Sequence, residues 1–222
     1  MDIEIIHRPG AALARCVVKP GDSPLRVEAG AMVGRSVNIT METQSGGMMK
    51  GMKAMLGGES FFMNKFTATG SAGEVLVGAA LPGDLEVVEV SSSQGWNVAQ
   101  GAFIACEDTV AIETKFGGLK AMFSGTGLAH LKATGSGRLV IGAFGAFEAL
   151  DVDGSLIVDN GHVVAWTSGL DYKISKAGGG FIAAYLSGEG AVCRFSGQGR
   201  VLIQTRNATA FGQFIGKMMP PV

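Results

Sequence analysis

The sequence predicts an all-β chain built from three similar units. Most apolar runs are short, rich in valine and isoleucine, and end at glycine or Pro-Gly-Asp turn signals, which is typical of β-strands. Glycine fills 35 of the 222 positions, more than twice its average share, and this indicates many tight turns. Sequence landmarks also recur at a period of about sixty residues, which indicates an internal repeat.

Each unit opens with two strands separated by a turn signal. The first two cases read ARCVV-KPGDSP-LRVEAG and LEVVEV-SSSQGW-NVAQG. The third reads EALDV-DG-SLIVDNG, where Asp153 and Gly154 form the strongest short hairpin signal, because both residue types tolerate the positive φ of a type I′ turn. The three segments align, and each predicts a β-hairpin.

A glycine and an apolar strand follow each predicted hairpin. The strands read AGAMVG, QGAFIAC and NGHVVAW, and their glycines are Gly30, Gly101 and Gly161. Later strand segments read GSAGEVLVGA, GSGRLVIGA and GQGRVLIQT, with shared glycines at Gly73, Gly137 and Gly199 that lie 64 and then 62 residues apart. We interpret the glycines of GSGRLVIG and GQGRVLIQ as turn residues.

The landmarks define the predicted organisation of the chain. We predict one domain over residues 1–222, a length common for a single all-β domain, with pseudo-repeats at about 1–74, 75–137 and 138–205. The segment NATAFGQFIGKMM after the third unit predicts a C-terminal helix at about 206–219.

A methionine-rich stretch, GGMMKGMKAMLGGESFF at residues 46–62, occupies one place in the first unit. GGLKAMFSGTG and GGGFIAAYLSGEG hold the same place in the other units, so the stretch is the longest of three copies. On a helical wheel its apolar residues span an arc of about 120°, opposite Lys50 and Lys53. The apolar stripe either packs on the end of the β-core, which we favour, or faces a partner subunit or membrane. The candidate interaction residues are Met48, Met49, Met52, Met55, Leu56, Phe61 and Phe62.

Three stretches carry a resemblance to a known family. PGDSPLRVEAGAMV, GGESFFMNKFTATGSAGEV and GAFIACEDTV resemble, in this order, segments of the altered-inheritance-of-mitochondria (AIM24-type) family, a domain-of-unknown-function family with bacterial members. The resemblance runs over nearly the whole chain. It implies a TRAP-like, double-stranded β-helix-like body of three pseudo-repeats of short antiparallel strands, akin to the tryptophan RNA-binding attenuation protein. Mitochondrial members are linked to inner-membrane organisation, and the resemblance supplies no catalytic residues.

The sequence carries no recognisable catalytic or metal-binding pattern. The histidines lie in or beside predicted strands and outside motifs such as GxSxG, so we expect structural roles for His7, His130 and His162. Glu107 and Asp108 are neighbours on a predicted strand, where side chains point to opposite faces, so we expect them to mark a strand end. No His or Cys pair has zinc-ligand spacing. We therefore expect no catalytic residue, no cofactor and no metal.

Charge, cysteine usage and hydropathy indicate a cytoplasmic chain that does not bind nucleic acid. The net charge is −1 and lysines and arginines are scattered, which gives little attraction for phosphate backbones. Cys16, Cys106 and Cys193 are far apart, and we expect each to be a small buried apolar residue in a reducing compartment. The first residues lack the features of a signal peptide, and no segment has eighteen consecutive apolar residues.

These observations predict a non-enzymatic β scaffold that acts through self-association or protein binding, with a membrane face as one setting. We expect a homo-oligomer, because short-stranded units leave sheet edges that need covering. A protein partner or a peripheral membrane contact is a further expectation. The alternatives are a small-ligand-binding module with an apolar cavity and, less favoured, RNA binding by analogy of fold.

Overall fold

The computed structural model describes residues 1–43, 63–115, 130–176 and 191–219, which are mostly antiparallel β-structure. The strands are β1 (Asp2–Ile6), β2 (Leu13–Val18), β3 (Leu25–Glu28), β4 (Met32–Arg35), β5 (Ile39–Thr43), β6 (Met63–Ala68), β7 (Gly73–Gly78), β8 (Gly83–Val90), β9 (Trp96–Ala99), β10 (Phe103–Glu107), β11 (Val110–Lys115), β12 (His130–Gly135), β13 (Gly137–Phe144), β14 (Phe147–Asp159), β15 (Val163–Thr167), β16 (Asp171–Lys176) and β17 (Ala191–Gln204). A 3₁₀ turn spans Asn160–His162, and helix α1 spans Ala208–Gly216. The prediction of an all-β chain is confirmed.

The strands form three sheets. Sheet A has the order β1-β2-β7-β4, and sheet B has the order β5-β6-β3-β10-β13-β8. Sheet C has the order β11-β12-β9-β15-β17-β14, and β16 also pairs with β17. Buried positions alternate along β2 and β7, as expected for strands with one face on the core. The buried apolar residues of the described ranges form three clusters, which include the fully buried Phe66, Phe103 and Trp166, respectively.

Three groups of strands share one pairing pattern, and we call them group 1 (β2–β7), group 2 (β8–β13) and group 3 (β14–β17). β7 lies between β2 and β4, β13 lies between β8 and β10, and β17 lies between β14 and β15. The β4–β7, β10–β13 and β15–β17 pairs each carry a register shift, which falls between Met32 and Gly34, between Phe103 and Ala105, and between Val163 and Ala165. The shared register shift allows residues of the three groups to be aligned. Gly34, Ala105 and Ala165 each follow the shift directly, so they occupy matching positions.

The predicted unit boundaries differ from these groups. The boundaries after residues 74 and 137 fall inside β7 and β13, because the landmark glycines Gly73 and Gly137 begin the last strand of a group. The interpretation of Gly137 as a turn residue is therefore corrected.

The three predicted hairpins are wrong, because the strands on either side of each turn signal do not pair. β2 lies in sheet A and β3 in sheet B, while β8 lies in sheet B and β9 in sheet C. The first turn does form, since the Asp22 amide donates to the Lys19 carbonyl at 3.0 Å. Asp153 and Gly154 instead continue β14, with Gly154 opposite Gly197 of β17. Turn residues fix the local backbone, whereas burial selects the partner of each strand.

The predicted C-terminal helix is confirmed, although its regular part ends at Gly216. The Asn207 side chain caps its start by accepting hydrogen bonds from the amides of Thr209 and Ala210 at 3.0 and 3.1 Å. The helix has no buried residue, and its Phe211 ring lies 5.2 Å from the Phe144 ring.

Candidate interaction surface

Two boundaries between strand groups are closed by strand pairing. Groups 1 and 2 join through β3 and β10, with the pairs Val27↔Ala105, Arg26↔Cys106 and Leu25↔Glu107. Groups 2 and 3 join through β9 and β15, with the pairs Val98↔Ala165, Asn97↔Trp166 and Trp96↔Thr167. Ala105 matches Ala165, and the ladders through β6 and β12 match Val27 to Val98, so the two boundaries have the same register.

The strands that would make a third boundary are unpaired with each other. Across the described ranges, β4 pairs only with β7, and residues 155–159 of β14 pair only with β17. The exposure of matching side chains also differs between the groups. Val33 of β4 is 61% exposed, whereas the matching Ile104 and Val164 are 2% and 1% exposed. β4 is therefore an open sheet edge where its two counterparts are covered on both sides.

Exposed apolar side chains lie on both open edges. We define the β4 edge by Met32, Val33 and Val37, which are 38%, 61% and 100% exposed. We define the β14 edge by Leu156 and Ile157, of which Ile157 is 51% exposed. An open strand edge with apolar neighbours is a template for pairing with another strand.

The closed boundary between groups 1 and 2 is held by charged side chains. Arg26 Nε lies 3.1 Å from Asp108 Oδ1, and Lys65 Nζ lies 2.9 Å from Asp108 Oδ2. Arg26 Nη2 also donates to the Val110 carbonyl of group 2. The Arg26 side chain is 12% exposed, so its charge is largely removed from water and depends on these partners.

A family model described as mitochondrial biogenesis AIM24 matches residues 3–206. The chain belongs to the AIM24 family. The family resemblance predicted from three short stretches is thus confirmed.

Relatives of this AIM24-family chain come from Streptococcus pyogenes. An uncharacterized protein of serotype M6 is 29% identical over 205 residues, which cover 87% of this chain and 82% of that protein. The X-ray crystal structure of a Streptococcus pyogenes protein superposes with a TM-score of 0.82 at 26% identity, over 98% of this chain and 99% of that chain. The all-β architecture is therefore that of an experimentally observed fold.

The interaction residues predicted from the methionine-rich stretch lie outside the described residues. They are Met48, Met49, Met52, Met55, Leu56, Phe61 and Phe62. The stretch links β5 to β6, which pair with each other, and residues 116–129 and 177–190 link the corresponding pairs β11–β12 and β16–β17.

Two of the histidines lie within hydrogen-bond distance of other residues. Tyr172 Oη and His130 Nδ1 are 3.2 Å apart, and His162 Nδ1 lies 2.7 Å from the Gln204 carbonyl oxygen. His7 lies in the turn after β1 with a φ of 60°.

The cysteines of this AIM24-family chain are free and buried, as predicted. Burial raises the thiol pKa of Cys16 to about 12 and those of Cys106 and Cys193 to about 11. All three are therefore thiols at neutral pH, whereas a reactive cysteine is a thiolate.

A polar cleft of about 520 Å³ lies where group 2 meets group 3. Trp96 and Thr167 line it, and its rim carries an ion pair in which Arg200 Nε lies 2.8 Å from Asp151 Oδ1. This pair neutralises its own charges and is largely exposed. The lining of this cleft is mainly polar, whereas the ligand-binding alternative predicts an apolar cavity.

Within the parts of the chain that the structure describes, no three His, Cys, Asp or Glu side chains are grouped so that they could hold a metal ion. The helical segments of those parts include none with the length and apolar character needed to cross a membrane.

Proposed function

We propose that this AIM24-family chain is a non-enzymatic β scaffold that acts by self-association. The observation that carries the proposal is the pair of open edges, on β4 and on β14, whose counterparts in the other strand groups are joined to neighbouring strands. Open edges are a liability that soluble proteins cover or block. Association between copies covers them without any change in the fold.

The proposal treats the three strand groups as repeats of one unit, with two joints made inside the chain. The shared pairing pattern and the shared register shift support this interpretation. The buried free cysteines fit the proposed cytoplasmic location, since cytoplasmic proteins keep their thiols reduced.

The first prediction is that the chain is larger than a monomer in solution. We expect static light scattering at micromolar concentration to give a mass well above the 22.8 kDa of one chain. Dilution should lower the measured mass, since an association equilibrium depends on concentration. A mass of one chain throughout the micromolar range would overturn the proposed function.

A second candidate function, contact with an anionic membrane surface, is favoured by helix α1. Phe211, Phe214 and Ile215 of the helix are 43%, 57% and 38% exposed. Arg206 and Lys217 flank the helix, and α1 itself contains no acidic residue. An exposed apolar helix face beside basic residues is suited to an anionic lipid interface.

We expect the protein to co-float with vesicles of phosphatidylcholine and phosphatidylserine. Phe214→Ser should weaken vesicle binding about tenfold or more, because burial of a phenylalanine side chain stabilises by about 1.5 to 3 kcal/mol. Leu81→Ser, at an exposed leucine in the turn between β7 and β8, is the matched control and should bind as the native chain does. Equal binding by the Phe214 and native proteins would rule out α1 as the contact.

A further inference from the structure

The strand ladders specify how the β4 edge and the β14 edge would meet. Starting from the matched Gly34 and Ala165, Met41 corresponds to Tyr172. Met41 pairs with Phe66 and Tyr172 pairs with Phe195. Those two phenylalanines pair in turn with Leu25 and with Leu156. Leu156 of β14 therefore matches Leu25 of β3, and Ile157 matches Arg26.

The two closed boundaries share one register, and the same register defines which residues of the open edges would pair. Ala105 pairs with Val27 where groups 1 and 2 meet, and Ala165 pairs with Val98 where groups 2 and 3 meet. The matching register for the open edges has three pairs, which are Gly34↔Val158, Arg35↔Ile157 and Ser36↔Leu156.

The side chains at these matched positions are complementary. Asp108 and Arg26 form an ion pair across the boundary between groups 1 and 2, and their counterparts at the open edges are Val37 and Ile157. Val37 is 100% exposed and Ile157 is 51% exposed, so an ionic contact is replaced on both sides by an apolar one. Had only one partner been replaced, a charge would face an apolar group.

A hydrogen bond of Arg26 is also replaced at the open edges. The Val110 carbonyl of group 2 accepts a hydrogen bond from Arg26, which lies across the boundary. The matching carbonyl of group 1 belongs to Ile39, and it accepts from Arg35 of its own strand group. The β14 edge has Ile157 where β3 has Arg26, so it has no arginine to donate to the Ile39 carbonyl. Arg35 makes this hydrogen bond from the β4 side instead.

We propose that the β4 edge of one copy pairs antiparallel with the β14 edge of a second copy, in the register Gly34↔Val158. This inference rests on the proposed self-association and specifies its interface. The contact is head to tail, because each copy offers its β4 edge to one neighbour and its β14 edge to another. The partner is a second copy, since the two edges of one chain complement each other and yet do not pair within that chain.

The test uses two lysine variants of the full chain, one for each edge. Val37→Lys and Ile157→Lys place a charge in the apolar contact, and both positions are exposed, so we expect the thermal midpoints to stay close to that of the native chain. Each variant alone should be monomeric at a concentration where the native chain is assembled. An equimolar mixture should form a dimer, because the intact β4 edge of the Ile157 variant meets the intact β14 edge of the Val37 variant. Leu81→Lys is the control and should assemble as the native chain does.

The possible results separate the interface from the function. A monomeric native chain would remove the proposed self-association and this inference with it. An assembled native chain whose two lysine variants stay assembled would overturn only the interface. Monomeric variants whose mixture stays monomeric would exclude the head-to-tail contact, since a patch that binds its own copy is not rescued by mixing. Loss of assembly by the Leu81 control would assign the effect to added charge and overturn the inference.

Discussion

Replacing Gly83 with alanine is expected to lower the free energy of unfolding by more than about 3 kcal/mol. A Cβ atom at Gly83 would lie 1.9 Å from the carbonyl oxygen of Ala143 and 2.8 Å from the amide nitrogen of Gly145. Both neighbours are backbone atoms, which cannot rotate away as a flexible side chain can. The strands must separate to accept the methyl group.

The separation would break a junction between all three strand groups. The Gly83 carbonyl accepts from the Ala12 amide at 3.0 Å, just before β2. The adjacent Asp84 amide donates to the Gly145 carbonyl at 2.9 Å, at the connection from β13 to β14. The methyl group therefore strains several hydrogen bonds together.

Urea denaturation followed by circular dichroism measures the effect. Gly10→Ala is the matched control, because a Cβ atom there meets no atom within 4 Å, and we expect it to stay within about 0.5 kcal/mol of the native chain. If Gly83→Ala unfolded at the same urea concentration as the native protein, the close approach of these strands would be refuted.

The positions of strands were predictable from sequence because they depend on local patterns. The apolar strands expected after Gly30, Gly101 and Gly161 are β4, β10 and β15. Strand partners were not predictable in this way. The residues KPGDSP specify a turn, but β2 and β3 on its two sides enter different sheets, where their buried faces find other strands.

The role of the landmark glycines also depends on tertiary structure. Gly199 lies inside β17, and a Cβ atom there would lie 2.3 Å from Thr167 Oγ1 of β15. A Cβ atom at Gly137 would also be too close to a neighbour, since it would lie 2.8 Å from Glu107 Oε2. The residue type was recognised from sequence, but the reason for it, the close approach of another strand, appears only in the fold.

The open edges were missed because local sequence does not encode exposure. Val33, Ile104 and Val164 are all β-branched apolar residues, yet only Val33 of the three is exposed, and among the described residues its strand β4 is the one of the three that pairs on one side only. A usable signal was present in the repeat. Val37 stands where group 2 has Asp108 and group 3 has Ser168, so it is the apolar member of three matching positions whose other two members are polar.

The second large effect is expected from removal of the indole of Trp166, which is fully buried in β15. Its ring centroid lies 5.0 Å from that of His130, 4.8 Å from that of Tyr172 and 5.6 Å from that of Phe195. Trp166→Ala removes the centre of this cluster and leaves a cavity between well-packed rings. We expect a loss of about 3 to 5 kcal/mol in the free energy of unfolding.

The conservative variant Trp166→Phe separates packing from hydrogen bonding. The buried indole nitrogen has no hydrogen-bond partner among the described residues, so phenylalanine removes volume without breaking a hydrogen bond. We expect Trp166→Phe to cost only about 1 to 2 kcal/mol. Trp96, the other tryptophan, remains as a fluorescence reporter of unfolding in both variants.

Equal losses for the alanine and phenylalanine variants would mean that the cluster does not depend on the volume of the side chain at position 166. The expected difference instead makes Trp166 a packing residue of the joint between groups 2 and 3, where its backbone pairs with Asn97 of β9.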